Sequence, residues 1–124
     1  MIGATILAAE ACLRVGVGSV KIICTKDTIS ILSQKFPSAL KVEINNLSFL
    51  KSFLKKEKKT TQVALVGPGA GTTTKTMRFT EEILKNIKYV VLDADSLNSF
   101  KNKTKKLLKY LDKNKIITPH QAEF

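Results

Sequence analysis

Gly67, Gly69 and Gly71 follow an apolar run and precede Lys75-Thr76, a grouping that could wrap a phosphate in backbone amides. The Walker pattern requires Gly, four residues, then Gly-Lys-Ser/Thr. Counted back from Lys75-Thr76, Gly69 is in place, but Thr74 stands where the second glycine belongs. The dinucleotide pattern G-x-G-x-x-G also fails, because Thr72 occupies its third glycine. Two readings remain for GPGAG, residues 67–71. It is a tight turn that lets backbone approach a ligand, or a plain strand-to-helix turn. Asp93 and Asp95 could form a metal- or hydroxyl-binding pair, and Asp95 equally suits the cap of a helix starting at Ser96. His120, the only histidine, follows a strand end and Pro119, and reads as a ligand contact or a surface residue. Cys12 and Cys24 lie in apolar segments with no Cys-x-x-Cys or His cluster, so buried reduced thiols are expected and no metal site.

The elements around these residues follow from periodicity. Residues 3–15 are rich in Ala and Leu and read as a helix. Glu10 and Arg14 are its only charges and can pair at i,i+4, so burial of most of the rest is expected. Gly16 is a helix stop. Residues 20–24 read as a strand. Thr28 is the expected cap of a helix ending at Phe36 before Pro37. Residues 40–44 read as a strand and 47–58 as an amphipathic helix, with Leu47, Leu50, Phe53 and Leu54 on one side. Strand 62–66, helix 74–86, strand 89–92, a lysine-rich helix at 103–112 and strand 115–118 complete the order. Strands alternating with helices predict an α/β sandwich with a mostly parallel sheet, both faces covered. In such sheets ligands bind at the carboxyl ends of strands. GPGAG, DADSLN (93–98) and TPHQAEF (118–124) each follow a strand, so one rim should carry all three.

At 124 residues the chain fits one domain. No stretch reaches the roughly 18 apolar residues of a membrane span. No basic region precedes the first apolar run, and Glu10 interrupts it, so a secretory signal is not expected and the expected address is cytoplasmic. The net charge of +11 raises nucleic acid as a partner. However, Arg14 and Arg78 are the only arginines and aromatics are 6%, which argues against base readout and stacking. The lysines at 55–59 and 101–109 read as solvated faces.

Four ordered stretches resemble a known family: GATILAAEACLRVGVGSVKI, ALVGPGAG, VVLDADSLN and IITPHQAEF. They are similar to the ADP/ATP-dependent NAD(P)H-hydrate dehydratases, the carboxy-terminal domain of YjeF-type repair proteins. The resemblance covers nearly the whole chain. It implies a ribokinase-like three-layer αβα sandwich and dehydration of the S epimer of hydrated NADH or NADPH. The implied phosphate donor is ADP or ATP with Mg2+, the hydroxyl being phosphorylated and then eliminated. It places the hydrated dinucleotide against Ala4, Gly67, Gly69 and His120, with Asp93 a further candidate at the same rim. Gln121-Ala122 departs from the family's Pro-Gly, while His120 and Glu123 are kept.

The family's later Lys-Gly segment and its Gly-Gly-Ser/Thr-Gly-Asp motif, which holds the catalytic Asp, have no counterpart in these residues. A partial domain over residues 1–124, truncated at both ends, is therefore expected. The isolated chain is expected to be inactive unless a second chain supplies the missing half. The family's homo-oligomers are also implied. Against this enzyme reading stand a non-catalytic relic or dinucleotide-binding fragment, and part of another ribokinase-like small-molecule kinase.

Overall fold

A computed structural model describes residues 1–121. The chain forms two compact units, Met1–Asn46 and Leu47–Phe124, each treated separately below. Glu123, noted above, lies outside the described residues.

The first unit contains α1 (Ile2–Arg14), β1 (Lys21–Cys24), α2 (Lys26–Lys35) and β2 (Leu40–Glu43). β1 and β2 pair in parallel, with Ile22 opposite Lys41 and Cys24 opposite Glu43. Ala9, Ile22, Cys24, Leu32, Phe36 and Ala39 form its core, joined by Ile2, Ile6 and Leu13. Ile2, Ile6, Ala9 and Leu13 recur at helical spacing, so a single stripe of α1 meets this core. The expected burial of most of α1 is thereby corrected: only Ala9 is buried, and Leu7, off the stripe, is 68% exposed. Cys24 is buried as expected, whereas Cys12 is only half-buried.

Gly16 ends α1 as the sequence implies. At φ +86° its N–H donates to Leu13 O, and Val17 N–H donates to Cys12 O, the paired bonds of a Schellman motif. α2 starts earlier than expected, with Thr25 rather than Thr28 at the N-cap position. Lys26 and Asp27 join the first turn, where the Asp27 carboxylate suits the helix dipole. The Thr28 hydroxyl instead donates back to Thr25 O at 3.0 Å. Beyond α2, Lys41 Nζ donates to Phe36 O at 2.7 Å and Ala39 O at 2.6 Å, so a strand lysine closes the helix-to-strand turn.

The second unit contains α3 (Leu47–Glu57), β3 (Val63–Val66), α4 (Thr74–Asn86), β4 (Tyr89–Leu92), α5 (Asp95–Asn98), α6 (Thr104–Leu108) and β5 (Lys115–Ile117). The sheet order is β3-β4-β5, every pair parallel. Leu50 and Leu54 of α3 and Met77, Ile83 and Leu84 of α4 are buried, together with Val90, Leu92 and Phe100. Glu82 of α4 faces Lys51 of α3 at 3.9 Å, and Glu81 faces Lys106 of α6 at 2.5 Å. Lys115 Nζ donates to Ile87 O and Lys88 O, again closing the turn after a helix.

Two expectations change here. The lysine-rich helix at 103–112 shrinks to α6. Lys105 and Lys109 are i,i+4 neighbours, as are Lys101 and Lys105, and like charges at that spacing disfavour a longer helix. Past α6, the Asp112 carboxylate accepts Asn114 N–H at 2.7 Å and makes a turn. Among the described residues, one face of β3-β4-β5 also carries exposed apolar side chains. The register puts Val63, Leu65, Tyr89, Val91 and Ile116 on one pleated face. Val63 is 57% exposed and Ile116 59%, with Leu65 and Tyr89 also exposed. Among the described residues, no helix is long and apolar enough to cross a membrane.

Burial, followed by the nearby Glu43 carboxylate, pushes the Cys24 thiol above its ordinary 9.0. As pH rises the unfolded chain releases this proton first. The thiol's contribution to stability is thus complete below pH 9.0 and is lost as pH climbs through the raised folded value. The urea midpoint of the parent should therefore fall more steeply than that of Cys24→Val between about pH 8 and about pH 10. Equal slopes would mean that the buried thiol does not titrate with folding.

Candidate functional site

GPGAG begins where β3 ends. Ala70 N–H donates to Gly67 O at 3.0 Å, with Pro68 and Gly69 between them. Proline at the second position and a glycine at φ +77° at the third make this a type II turn, and the third position requires positive φ. Gly67 is itself at φ +129° and buried, and a Cβ there would overlap the backbone carbonyl of Asp93. The turn is thus built by close approach of two backbones, which only glycine allows.

The loop then runs into α4 through a cap. Thr73 sits at the N-cap with extended backbone, and its hydroxyl accepts Thr76 N–H at 3.1 Å. Thr76 is buried and donates its own hydroxyl to Ala70 O. Lys75 Nζ lies 5.3 Å from the Phe79 ring centroid. Lys75-Thr76 is therefore the first turn of a helix, as the failed Walker spacing implies.

The next loop binds to the first. Asp93 N–H donates to Val66 O, and the buried Ser96 hydroxyl contacts both Val66 O and Asp93 O. Asp95 Oδ2 accepts Gly71 N–H at 2.8 Å. The alternative reading of Asp95 as a cap is corrected: α5 has Ala94 at its N-cap position and no side-chain cap bond, because the Asp95 carboxylate reaches the glycine loop instead. Between the two aspartates Ala94 sits at φ 45°, ψ −119°, the only described non-glycine residue at positive φ. This is a strained conformation for a residue with a Cβ.

The third loop joins at Thr118. Its N–H donates to Leu92 O, and its hydroxyl reaches Asp93 Oδ1 at 2.8 Å. His120, exposed, follows two residues later. The structure thus gathers Gly67, Gly69 and Asp93 on the carboxyl-end rim of β3-β4-β5, with His120 on the adjoining loop. Ala4 is half-buried on α1 and belongs to the first unit. Sequence reasoning missed Ser96, Thr118, Thr73, Thr76 and the loop contact of Asp95. A run of hydroxyl residues flanking each glycine or aspartate was the available signal.

Both rim carboxylates are engaged with neighbouring loops, so Asp93 and Asp95 do not converge on one point. Among the described residues, no group of three or more His, Cys, Asp or Glu could hold a metal ion. The rim offers shaped backbone for a ligand to lie against.

The family model described as NAD(P)H-hydrate dehydratase matches residues 1–124. The chain belongs to this family. The ADP-dependent (S)-NAD(P)H-hydrate dehydratase of Staphylococcus aureus is 29% identical, over 98% of this chain and 43% of its own length. The enzyme of the same name from Streptococcus pneumoniae is 27% identical, over 98% and 41%. The chain thus spans about two-fifths of the curated relatives it matches. A ribokinase-like superfamily protein of Enterococcus faecalis superposes with TM-score 0.78 at 22% identity, over 98% of this chain and 42% of that one. A Streptococcus mutans protein gives 0.75 at 27%, with the same coverage. The family fold is ribokinase-like, as the sequence resemblance implies.

Two substitutions test the rim. Gly67→Ala must both hold φ +129° and displace the Asp93 carbonyl, and should lower the unfolding free energy by at least about 2 kcal/mol in urea titrations. Ala94→Gly removes the strain and should raise it by about 1 kcal/mol, after allowance for the added freedom of the unfolded chain. An unchanged midpoint in Ala94→Gly would mean that the backbone there is not strained.

Proposed function

We propose that residues 1–124 supply the dinucleotide-binding wall of an ADP-dependent (S)-NAD(P)H-hydrate dehydratase acting in the cytoplasm. The observation that carries this reading is the stitching of GPG, DAD and TPH loops onto one sheet rim, in a chain whose full length matches the family. The hydrated dinucleotide would lie along the Gly67-Pro68-Gly69 turn, with His120 on the adjoining loop. Glycine at 69 would keep a side chain out of the way of the sugar-phosphate backbone, while glycine at 67 makes room for the Asp93 carbonyl that shapes the turn. ADP would pass a phosphoryl group to the substrate hydroxyl and leave as AMP; the C–O bond of the phosphate ester would then break, releasing inorganic phosphate as the adjacent ring carbon loses a proton and the C=C double bond re-forms.

Among the described residues no group of three or more His, Cys, Asp or Glu could hold the Mg2+ that such a transfer ordinarily uses, and Asp93 Oδ1 and Asp95 Oδ2 are engaged by Thr118 and Gly71. The catalytic Asp and the phosphate-steadying glycines would come from the counterpart of the relatives' length that lies outside the match. The bare apolar face of β3-β4-β5 supports this part of the reading. Parallel sheets are ordinarily covered on both faces, and more than half the length of each relative lies outside the match.

The test uses purified chain with the S epimer of NADPH hydrate, ADP and Mg2+, followed by NADPH absorbance and by calorimetric binding. Binding without turnover is expected for the chain alone. Turnover should appear when the remaining segment of the Staphylococcus aureus relative is added. Turnover by the chain alone would overturn the division of labour, and absence of binding would favour a non-catalytic relic.

A further inference from the structure

We propose that Asp95 is a positioning residue, the pin that holds the GPGAG turn in its ligand-facing shape. This rests on the dinucleotide reading above and names a residue that reading does not use.

Gly67, Gly69 and Gly71 all sit at positive φ, so three of the five loop residues have little intrinsic preference for one conformation, and Pro68 fixes only the first half of the turn. Such a loop needs external bonds to keep one shape. On the β3 side the Asp93 backbone and the Ser96 hydroxyl brace it near Val66 and Gly67. On the α4 side the Thr76 hydroxyl holds Ala70 O. Gly71, the last of the three, has its N–H held by Asp95 Oδ2 at 2.8 Å, across 24 residues of sequence.

The geometry of Ala94 shows how one short loop serves two neighbours. With regular backbone, adjacent segments would carry both aspartates along a common course. At φ 45°, ψ −119° the chain reverses between them. Asp93 then meets Thr118 on the β5 side, and Asp95 meets Gly71 on the β3 side. Strain at Ala94 is thus tied to the division of two carboxylates between two loops. A hydrogen bond to a charged acceptor is among the stronger kinds, which suits a single bond charged with ordering a glycine loop.

Asp95→Ala and Asp95→Asn separate this role from direct ligand contact. Asparagine keeps an acceptor oxygen for Gly71 N–H but removes the charge. In the full chain, hydrogen exchange at the Gly71 amide should accelerate in Asp95→Ala and return close to the parent rate in Asp95→Asn. Calorimetric Kd for (S)-NADPH hydrate should rise about tenfold in Asp95→Ala and stay within about threefold in Asp95→Asn, the scale of one lost hydrogen bond. Unchanged Gly71 exchange in Asp95→Ala would overturn the pin. Equal loss of binding in both variants would overturn it too, since the charge itself would then be meeting the ligand. If the parent does not bind the hydrate, the dinucleotide reading fails, and the Gly71 exchange comparison still decides whether Asp95 orders the turn. Should Asp95→Ala not fold, slow Gly71 exchange in Asp95→Asn supports the pin and fast exchange overturns it.

Discussion

The rim of this protein depends on the backbone of Gly67 lying against the carbonyl of Asp93. The contact leaves no space for a side chain, and it fixes how close the ends of β3 and β4 come. Once those two strand ends are this near, the Ser96 hydroxyl can bridge both carbonyls, and Asp95 can reach across to Gly71. Thr118 extends the same arrangement to β5. A set of separate loops becomes one surface because two backbones meet without intervening side chains. The polar groups then satisfy one another, as buried or half-buried hydrogen-bonding groups must.

Much of this was legible in the sequence, for physical reasons that can be located. The α4 and β4 boundaries read directly because an amphipathic 3.6-residue period and a β-branched run are strong local patterns. Gly16 and the Gly67-Pro68-Gly69 turn were equally plain, since positive φ and fixed proline geometry leave few alternatives. The convergence of three loops followed from parallel strands alone. What the sequence did not show depends on partners distant along the chain. Asp95 before Ser96 has the local look of a cap, and only the proximity of Gly71 sends its carboxylate elsewhere. Ala94 carries no mark of positive φ, because that conformation is imposed by the loops on either side. The burial of α1 was overestimated for a related reason: alanine fits a helix whether or not anything covers it.

The lysine excess also acquires a structural meaning at two points. Lys41 and Lys115 each stand on a strand and donate to carbonyls in the turn that follows a helix. Lys41 does so from within the same turn, whereas Lys115 reaches back across 27 residues to a position where a local residue would ordinarily serve. Lys51 of α3 and Lys106 of α6 pair with the two glutamates of α4 and tie those helices to it, while Lys85 pairs with Glu82 within α4 itself. The side chains of Lys51, Lys85 and Lys106 remain about half exposed, so each pair adds little stability by itself. These five lysines are structural ties, which lessens the weight of net charge as an argument for a nucleic-acid partner.

The bare face of β3-β4-β5 has a thermal consequence. Val63, Leu65, Tyr89 and Ile116 expose apolar surface that water tolerates poorly, and any cover they acquire would be held mainly by the hydrophobic effect. That force weakens on cooling. An assembly sealed through this face would loosen in the cold while each partner kept its own hydrogen-bonded secondary structure. Its working range would then have a lower limit set by the seam, distinct from the upper limit set by the unfolding of either piece.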